Sequence, residues 1–247
     1  MREWSLDLHV HSVLSPCASE EMLPPAVLHK AKELGIDAIA VTDHNSGANA
    51  AAFFEKGTEL GVKVFPGMEL QTAEDIHLVC LFEELPALMQ LQELVYARLP
   101  QLKNDKTSMG EQWLVDKEGQ KTGELEQLLL ASTSLTINEA VSQVHRLGGL
   151  CLAAHLDRQA FSLCGHLACI PEDLELDGVE LTPYLKRDPW LLQAIKERGF
   201  SYIIASDAHY LADLRPPSCF AKMPELNLSE LTKALRGLDG RKIRTLR

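Results

Sequence analysis

The sequence predicts an α/β fold built on a largely parallel sheet, and three observations carry that prediction. Seven short apolar runs rich in Val, Ile and Leu fall at 4–10, 37–42, 62–66, 76–82, 150–154, 177–181 and 202–205. Several of them, among them IDAIAVTD, GLCLAAH and SYIIASD, are continuously apolar rather than alternating, as strands covered on both faces are. Stretches with helical spacing separate the runs, and alternation of strand with helix marks a parallel sheet.

The helices follow from local chemistry. At 24–34, Pro24 and Pro25 open a helix whose buried face is Val27, Leu28, Ala31 and Leu34, with Gly35 past its end. At 136–147, Thr136 and Glu139 form a capping box ahead of Ile137, Ala140, Val141, Val144 and Leu147, and Gly148-Gly149 stops the run. At 188–198, Asp188 caps, Pro189 takes the first turn, Leu192 and Ile195 face inward and Gly199 ends the helix. A last helix is expected from Ser229 to about Leu235. Residues 103–135 break the rhythm: they are polar, and their one strand-like piece, Gln112 to Val115, precedes a Lys-Glu-Gly turn. They read as a hairpin or flap inserted at the rim of one domain spanning 1–247, with a plain surface excursion as the equal alternative.

Composition narrows the class. The formal charge of −11 argues against broad attachment to nucleic acid or to anionic membrane, while leaving a small phosphate ester open. No apolar run approaches the roughly 18–20 residues of a membrane span, and MREWSLDLHVHS lacks the apolar core of an export signal. Cys17, Cys80, Cys151, Cys164, Cys169 and Cys219 contain no C-x-x-C pair, so reduced thiols and a cytoplasmic location are expected, with Cys80 and Cys151 as core fillers.

Histidine decides the chemistry. The successive runs end in His9 and His11, in Asp43 and His44, at Glu69, at His155, at Glu180, and in Asp207 and His209; only His77 sits near the start of its run. In parallel α/β folds the C-terminal ends of strands converge on a shared site. His9 and His11, at i and i+2 of an extended segment, point to one side, and Asp207 and His209 repeat the spacing. Imidazole mixed with carboxylate suits Zn, Mn or Fe(II), and a carboxylate such as Glu69 can bridge two ions able to clamp a phosphate ester. A lone buried histidine is more often a hydrogen-bonded core residue, which is the reading taken for His29, His145 and His166. Six histidines with the acids Glu69 and Asp207 at corresponding places are not explained that way.

DLHVHS at 7–12, VTDHNS at 41–46, PGMEL at 66–70, AAHLDR at 153–158 and SDAH at 206–209, in that order, resemble the PHP (polymerase and histidinol phosphatase) superfamily in its stand-alone phosphoesterase form. The resemblance implies a distorted (β/α)7 barrel with two or three divalent ions at the C-terminal ends of the strands. It implies one metal on His9, His11, Glu69 and Asp207, a second on Glu69, His77 and His155, and a third on His44 and His209. Asp43 would orient a ligand rather than bind. Where the family commonly has S-D-G after the first motif, this chain has Ser15-Pro16-Cys17; Pro16 cannot ligate, so the third site is weaker, empty or completed by Cys17 or water.

The expected activity is hydrolysis of a small phosphate ester, preferably a monoester, by metal-activated water, with catalysis running through Glu69, Asp207 and His209. Arg158 is the candidate phosphate grip, against the alternative of a surface ion pair. Glu180 is ranked structural, at most orienting a ligand. The rivals are a phosphodiesterase or exonuclease on oligonucleotides, for which a basic and aromatic track is lacking, a non-catalytic metal-binding module, and metal-dependent amide hydrolysis.

Overall fold

The computed structural model describes residues 1–167, 170–183 and 188–246, so Cys169 lies outside the described residues, as does the side chain of His166. The seven apolar runs form strands, and four more strands join them. The chain runs β1 (Arg2–Val10), α1 (Pro24–Glu33), β2 (Ala38–Val41), α2 (Ala50–Leu60), β3 (Lys63–Gln71), β4 (His77–Leu81) and α3 (Leu85–Arg98). A short α4 (Lys106–Met109) leads into β5 (Trp113–Val115) and β6 (Lys121–Glu124). Then come α5 (Ile137–Arg146), β7 (Leu150–Ala153), α6 (Leu163–Leu167), β8 (Gly178–Leu181), α7 (Pro189–Glu197) and β9 (Tyr202–Ile204). The chain finishes with β10 (Cys219–Met223), α8 (Leu228–Leu235) and β11 (Lys242–Thr245).

The sheet order is β11-β10-β1-β2-β3-β4-β7-β8-β9. Past β9, Ala208 forms a parallel bridge with Val10, and its carbonyl accepts from His11 N at 3.0 Å, which brings the last barrel strand back to the first. The seven expected strands thus make a nearly closed α/β barrel. β10 pairs antiparallel with the N-terminal half of β1, Arg2 to Leu6, so the two halves of one strand have different neighbours on the same side. Leu6, Ala40, Phe65, Val79, Leu152 and Ile203 share one apolar cluster with Leu231 and Leu235 of α8. Strands so far apart in the order can meet only across the lumen, so this cluster fills the barrel. Leu235 lies 3.2 Å from where a Cβ on Gly178 would sit, which puts α8 against the N-terminal end of β8.

One strand is reversed. β4 pairs antiparallel with both β3 and β7, whereas β1, β2 and β3 are mutually parallel, as are β7, β8 and β9. The start of β4 therefore lies at the rim where the other strands end. His77, out of step in the sequence, is in register with Gln71 and reaches the same rim as the rest.

The expected caps are present: Thr136 and Glu139 satisfy each other's backbone groups at the start of α5, and the Asp188 carboxylate accepts from Trp190 N. In α7 the buried residues are Leu191 and Ile195; Leu192, expected inward, is only half-buried. Within 103–135, β5 and β6 pair as an antiparallel hairpin. Gly110 there passes so close to Pro16 that a Cβ would meet its carbonyl oxygen at 2.1 Å, and with φ at +98° only glycine fits.

Candidate metal centre

The residues at the rim are held by strand ends and by loops with unusual backbone. Among the described residues six non-glycine positions have positive φ, and four of them, Asn45, His155, Phe161 and Asp207, are in or beside the cluster. Each such residue costs about 1–3 kcal/mol and persists only where its surroundings enforce it.

His9, His11, Glu69 and Asp207 converge. His9 Nε2 lies 3.2 Å from His11 Nε2 and 3.3 Å from Asp207 Oδ1, and His11 Nε2 lies 3.0 Å from the same oxygen. Glu69 completes the group at 3.4 Å from both imidazoles. Its carboxylate also meets His44 Nδ1 at 2.9 Å, His77 Nδ1 at 2.7 Å and His155 Nε2 at 3.1 Å. His209 stacks on His11 with ring centroids 4.1 Å apart.

The outer partners set the tautomers. The Asp43 carboxylate accepts from Ser12 N, Ser12 Oγ and Ser15 Oγ at 2.7, 2.6 and 2.7 Å. With its only proton donated to Asp43, the Ser15 hydroxyl accepts from His11 Nδ1 at 2.9 Å. His11 Nε2 is then left with a lone pair aimed at two carboxylates. His9 Nδ1 is bound at 2.8 Å by Glu180, which is fully buried and directly orients a clustered imidazole. Glu180 belongs to no motif, and of the two roles expected for it, structural or orienting a ligand, its contact with His9 is the second; its spacing at a strand end was the available signal.

The electrostatics are extreme. Burial pushes His9 toward its neutral form, but the Glu180, Asp207 and Glu69 carboxylates outweigh it and hold its pKa well above the ordinary value. Burial pushes Glu69 up, while His77, His9 and His44 hold it well below the usual carboxylate range. Burial and the neighbouring His209 keep His11 well below the ordinary histidine value. Seven buried side-chain polar atoms lack a hydrogen-bond partner among the described residues, and five are here: His44 Nδ1, Glu69 Oε2, His77 Nε2, His155 Nδ1 and Glu180 Oε1. His44 Nδ1 and Glu69 Oε2 lie 2.9 Å apart without the alignment of a hydrogen bond, as atoms do that point to a common centre rather than at each other. These donors fit divalent ions: imidazole nitrogens and carboxylate oxygens, buried, with unspent lone pairs.

Three groups of ligand atoms lie close enough to share an ion: His9, His11, Glu69 and Asp207; His44, Glu69 and His77; and His11, His44 and His209. The clusters can bind several metal ions. The first group is the one expected. The second takes in His44 and leaves out His155, whose Nε2 meets Glu69 Oε1 at 3.1 Å and whose ring lies 5.3 Å from that of His77. In the third, His11 stands with His44 and His209 in the place for which Cys17 or water was expected. Cys17 lines the cavity and stands outside all three groups. Burial raises its thiol, but hydrogen bonds and charge from His209 and His44 bring it down to about 7. Arg158 is not a plain surface pair: its Nη1 bridges to Asp207 Oδ2 at 2.7 Å, inside the site. His29 bonds the Pro25 carbonyl and His145 bonds Asp177, so neither joins the cluster.

The cluster floors a cavity of about 400 Å³, and Arg158 is the one Lys or Arg among its described lining residues. Residues 7–206 match the PHP domain family. The chain belongs to that family. The uncharacterized protein MJ1587 of Methanocaldococcus jannaschii is 32% identical over 100 residues, covering 36% of this chain and 57% of that protein. The lesion-specific endonuclease PfuEndoQ of Pyrococcus furiosus superposes with a TM-score of 0.70 at 21% identity, over 98% of this chain and 58% of its own. PsfC of Pseudomonas syringae gives 0.63 at 16% identity, over 100% of this chain and 93% of its own. This chain thus spans under two thirds of the first two relatives, and the likeness to the solved structures is one of fold. Among the described residues no helix of this PHP protein is long and apolar enough to cross a membrane.

Proposed function

We propose that this PHP protein is a metal-dependent phosphoesterase that hydrolyses a small phosphomonoester with two or three Zn, Mn or Fe ions. One observation carries the reading: His11 Nε2, left with its lone pair by the Ser15–Asp43 relay, faces Asp207 and Glu69 in a buried site where bare donor atoms converge. Bound divalent ions supply acidity toward water and positive charge toward phosphate oxygens. His9, His11, Glu69 and Asp207 would hold one ion, Glu69, His77 and His155 a second, and His44 and His209 a weaker third. Glu180 and Asp43 fix the rings of His9 and His11. Arg158 would release Asp207 and grip the phosphate bidentately. With the weak third site empty, His209, the most exposed of the clustered histidines, would instead pass a proton to the leaving oxygen.

A monoester is favoured because the cavity offers a single guanidinium and no basic track. Its volume, about 400 Å³, is at the lower end for small-molecule sites. One observation favours the rival, a phosphodiesterase on nucleic acid: Phe161 and Tyr210, beside the clustered residues, expose their rings. A related fold, endonuclease Q, has been seen with a duplex carrying an abasic lesion at its active site, at 19% identity and a TM-score of 0.67. Phosphate release from matched monoesters and diesters, with and without chelator, separates the two. Chelator-sensitive release from monoesters alone is expected; turnover confined to oligonucleotides would transfer the assignment, and no turnover of any ester would leave a binding module.

A further inference from the structure

The cavity has two unlike walls. One is the imidazole and carboxylate cluster; the other is carbon, made by Leu130 from the inserted segment and by Ala160 and Phe161 from the loop after β7. Phe161 is an unusual residue to find there. The residue is 44% exposed, although a phenylalanine ordinarily contributes its area to a core. Its backbone is left-handed, φ +55°, and is held so by its carbonyl, which accepts from His77 N at 2.9 Å. One face of the ring lies on His77, centroids 4.8 Å apart and planes within 18°. His77 in turn touches Glu69, so the aromatic wall begins one ring from the ligand cluster.

Leu130 is equally fixed. Asn45, the residue after His44, is fully buried with φ +48°, and its amide donates to the carbonyls of Leu129 and Ala131 at 2.8 and 2.9 Å. The segment that carries Leu130 is therefore tied to the loop that carries a clustered histidine. It forms a standing wall of the cavity rather than a swinging flap.

We propose that Phe161, with Leu130 opposite the ligand cluster, forms a subsite for a planar aromatic group on the substrate, so that the natural ester joins a phosphate to an aromatic or heteroaromatic moiety. This rests on the phosphoesterase reading for what happens to the ester, but not for the binding. A phosphate held near Arg158 leaves its organic group facing carbon, which an ester of a small polyol would waste and a flat ring would use. A flat ring gains from the exposed phenyl face more than a puckered one of equal size, because offset and edge-to-face contacts depend on planarity.

The test uses two phosphonates with no ester bond, benzylphosphonate and its saturated counterpart cyclohexylmethylphosphonate, in equilibrium dialysis against the Mn-loaded full chain. Benzylphosphonate is expected to bind on the order of ten-fold tighter. The ratio should fall to about two-fold or less in Phe161→Leu and persist in Phe161→Tyr, with bound Mn measured in each variant because Phe161 leans on His77. Phe161→Met serves if the leucine variant has lost metal. Equal affinities in the natural protein, or a preference unchanged in Phe161→Leu, would overturn the subsite. Phosphate release from benzyl phosphate is followed alongside. A Phe161-dependent preference without release sinks the esterase reading alone, and release without that preference sinks the subsite alone.

Discussion

Two histidine–carboxylate clusters sit at opposite ends of the barrel, and they differ in what is left over. At the N-terminal end, Asp177 precedes β8 and is bound by His145 at 2.8 Å, by Cys151 N at 2.9 Å and by Arg236 at 3.1 Å. Every buried polar atom there is partnered, and none of the four residues has a left-handed backbone. At the C-terminal end, six imidazoles and two carboxylates crowd together with strained backbone and unspent lone pairs. The same residue types make a strut in one place and a group able to hold cations in the other. What separates them is surplus, not identity.

The largest effects should come from removing a shared ligand at the C-terminal end. Asp207→Ala and His9→Ala are expected to lower chelator-sensitive phosphate release by at least about a hundred-fold and to lose a metal equivalent while keeping the circular dichroism of the natural protein. A folded variant with undiminished activity would erase the distinction between the two clusters.

Glu180→Gln should act more gently. It keeps an acceptor for His9 Nδ1 but removes the charge that makes the ring a better ligand, so metal affinity should fall about ten-fold, read by competition with a chelating dye. An unchanged affinity would return Glu180 to a purely structural role.

How much of this was legible in the sequence depends on the kind of information. Apolar runs mark strands, and the ends of those runs carry His9, His44, Glu69, His155 and Asp207, so the membership of the site could be read. Direction could not. The run HLVCLF reads equally well in either sense, and only its antiparallel pairing explains why His77 leads it. CFAKM and KIRT went unassigned because strands that short, with charges facing out, resemble loops. The partition of ligands was also hidden: the resemblance groups His77 with His155, whereas the ring of His77 lies equally far, 5.3 Å, from those of His44 and His155. Phe161 carried no signal, since a single aromatic after AAHLDR has no periodicity; its meaning lies in a backbone angle and a stacked ring.

The smallest expected effects belong to the N-terminal strut. Asp177→Asn should cost about 1–3 kcal/mol of stability and leave bound metal unchanged. The hydrogen bond with Asp177 raises the His145 pKa above its ordinary value, against a smaller effect of burial. A raised folded-state pKa contributes stability that is full below the unfolded value of about 6.5 and is lost as pH climbs through the folded one. Chemical denaturation should therefore show His145→Ala more destabilising at pH 6 than at pH 9. The reverse order would mean that the pair is held neutral.

The most direct test of the central claim is the metal content of the full chain, purified without chelator, dialysed against Mn or Zn and measured by elemental analysis beside the His145→Ala variant. At least two tightly held ions per chain in both proteins are predicted, because the surplus lies at one end only. Fewer than one ion per chain in the natural protein, with no gain on adding Mn or Zn, would contradict it.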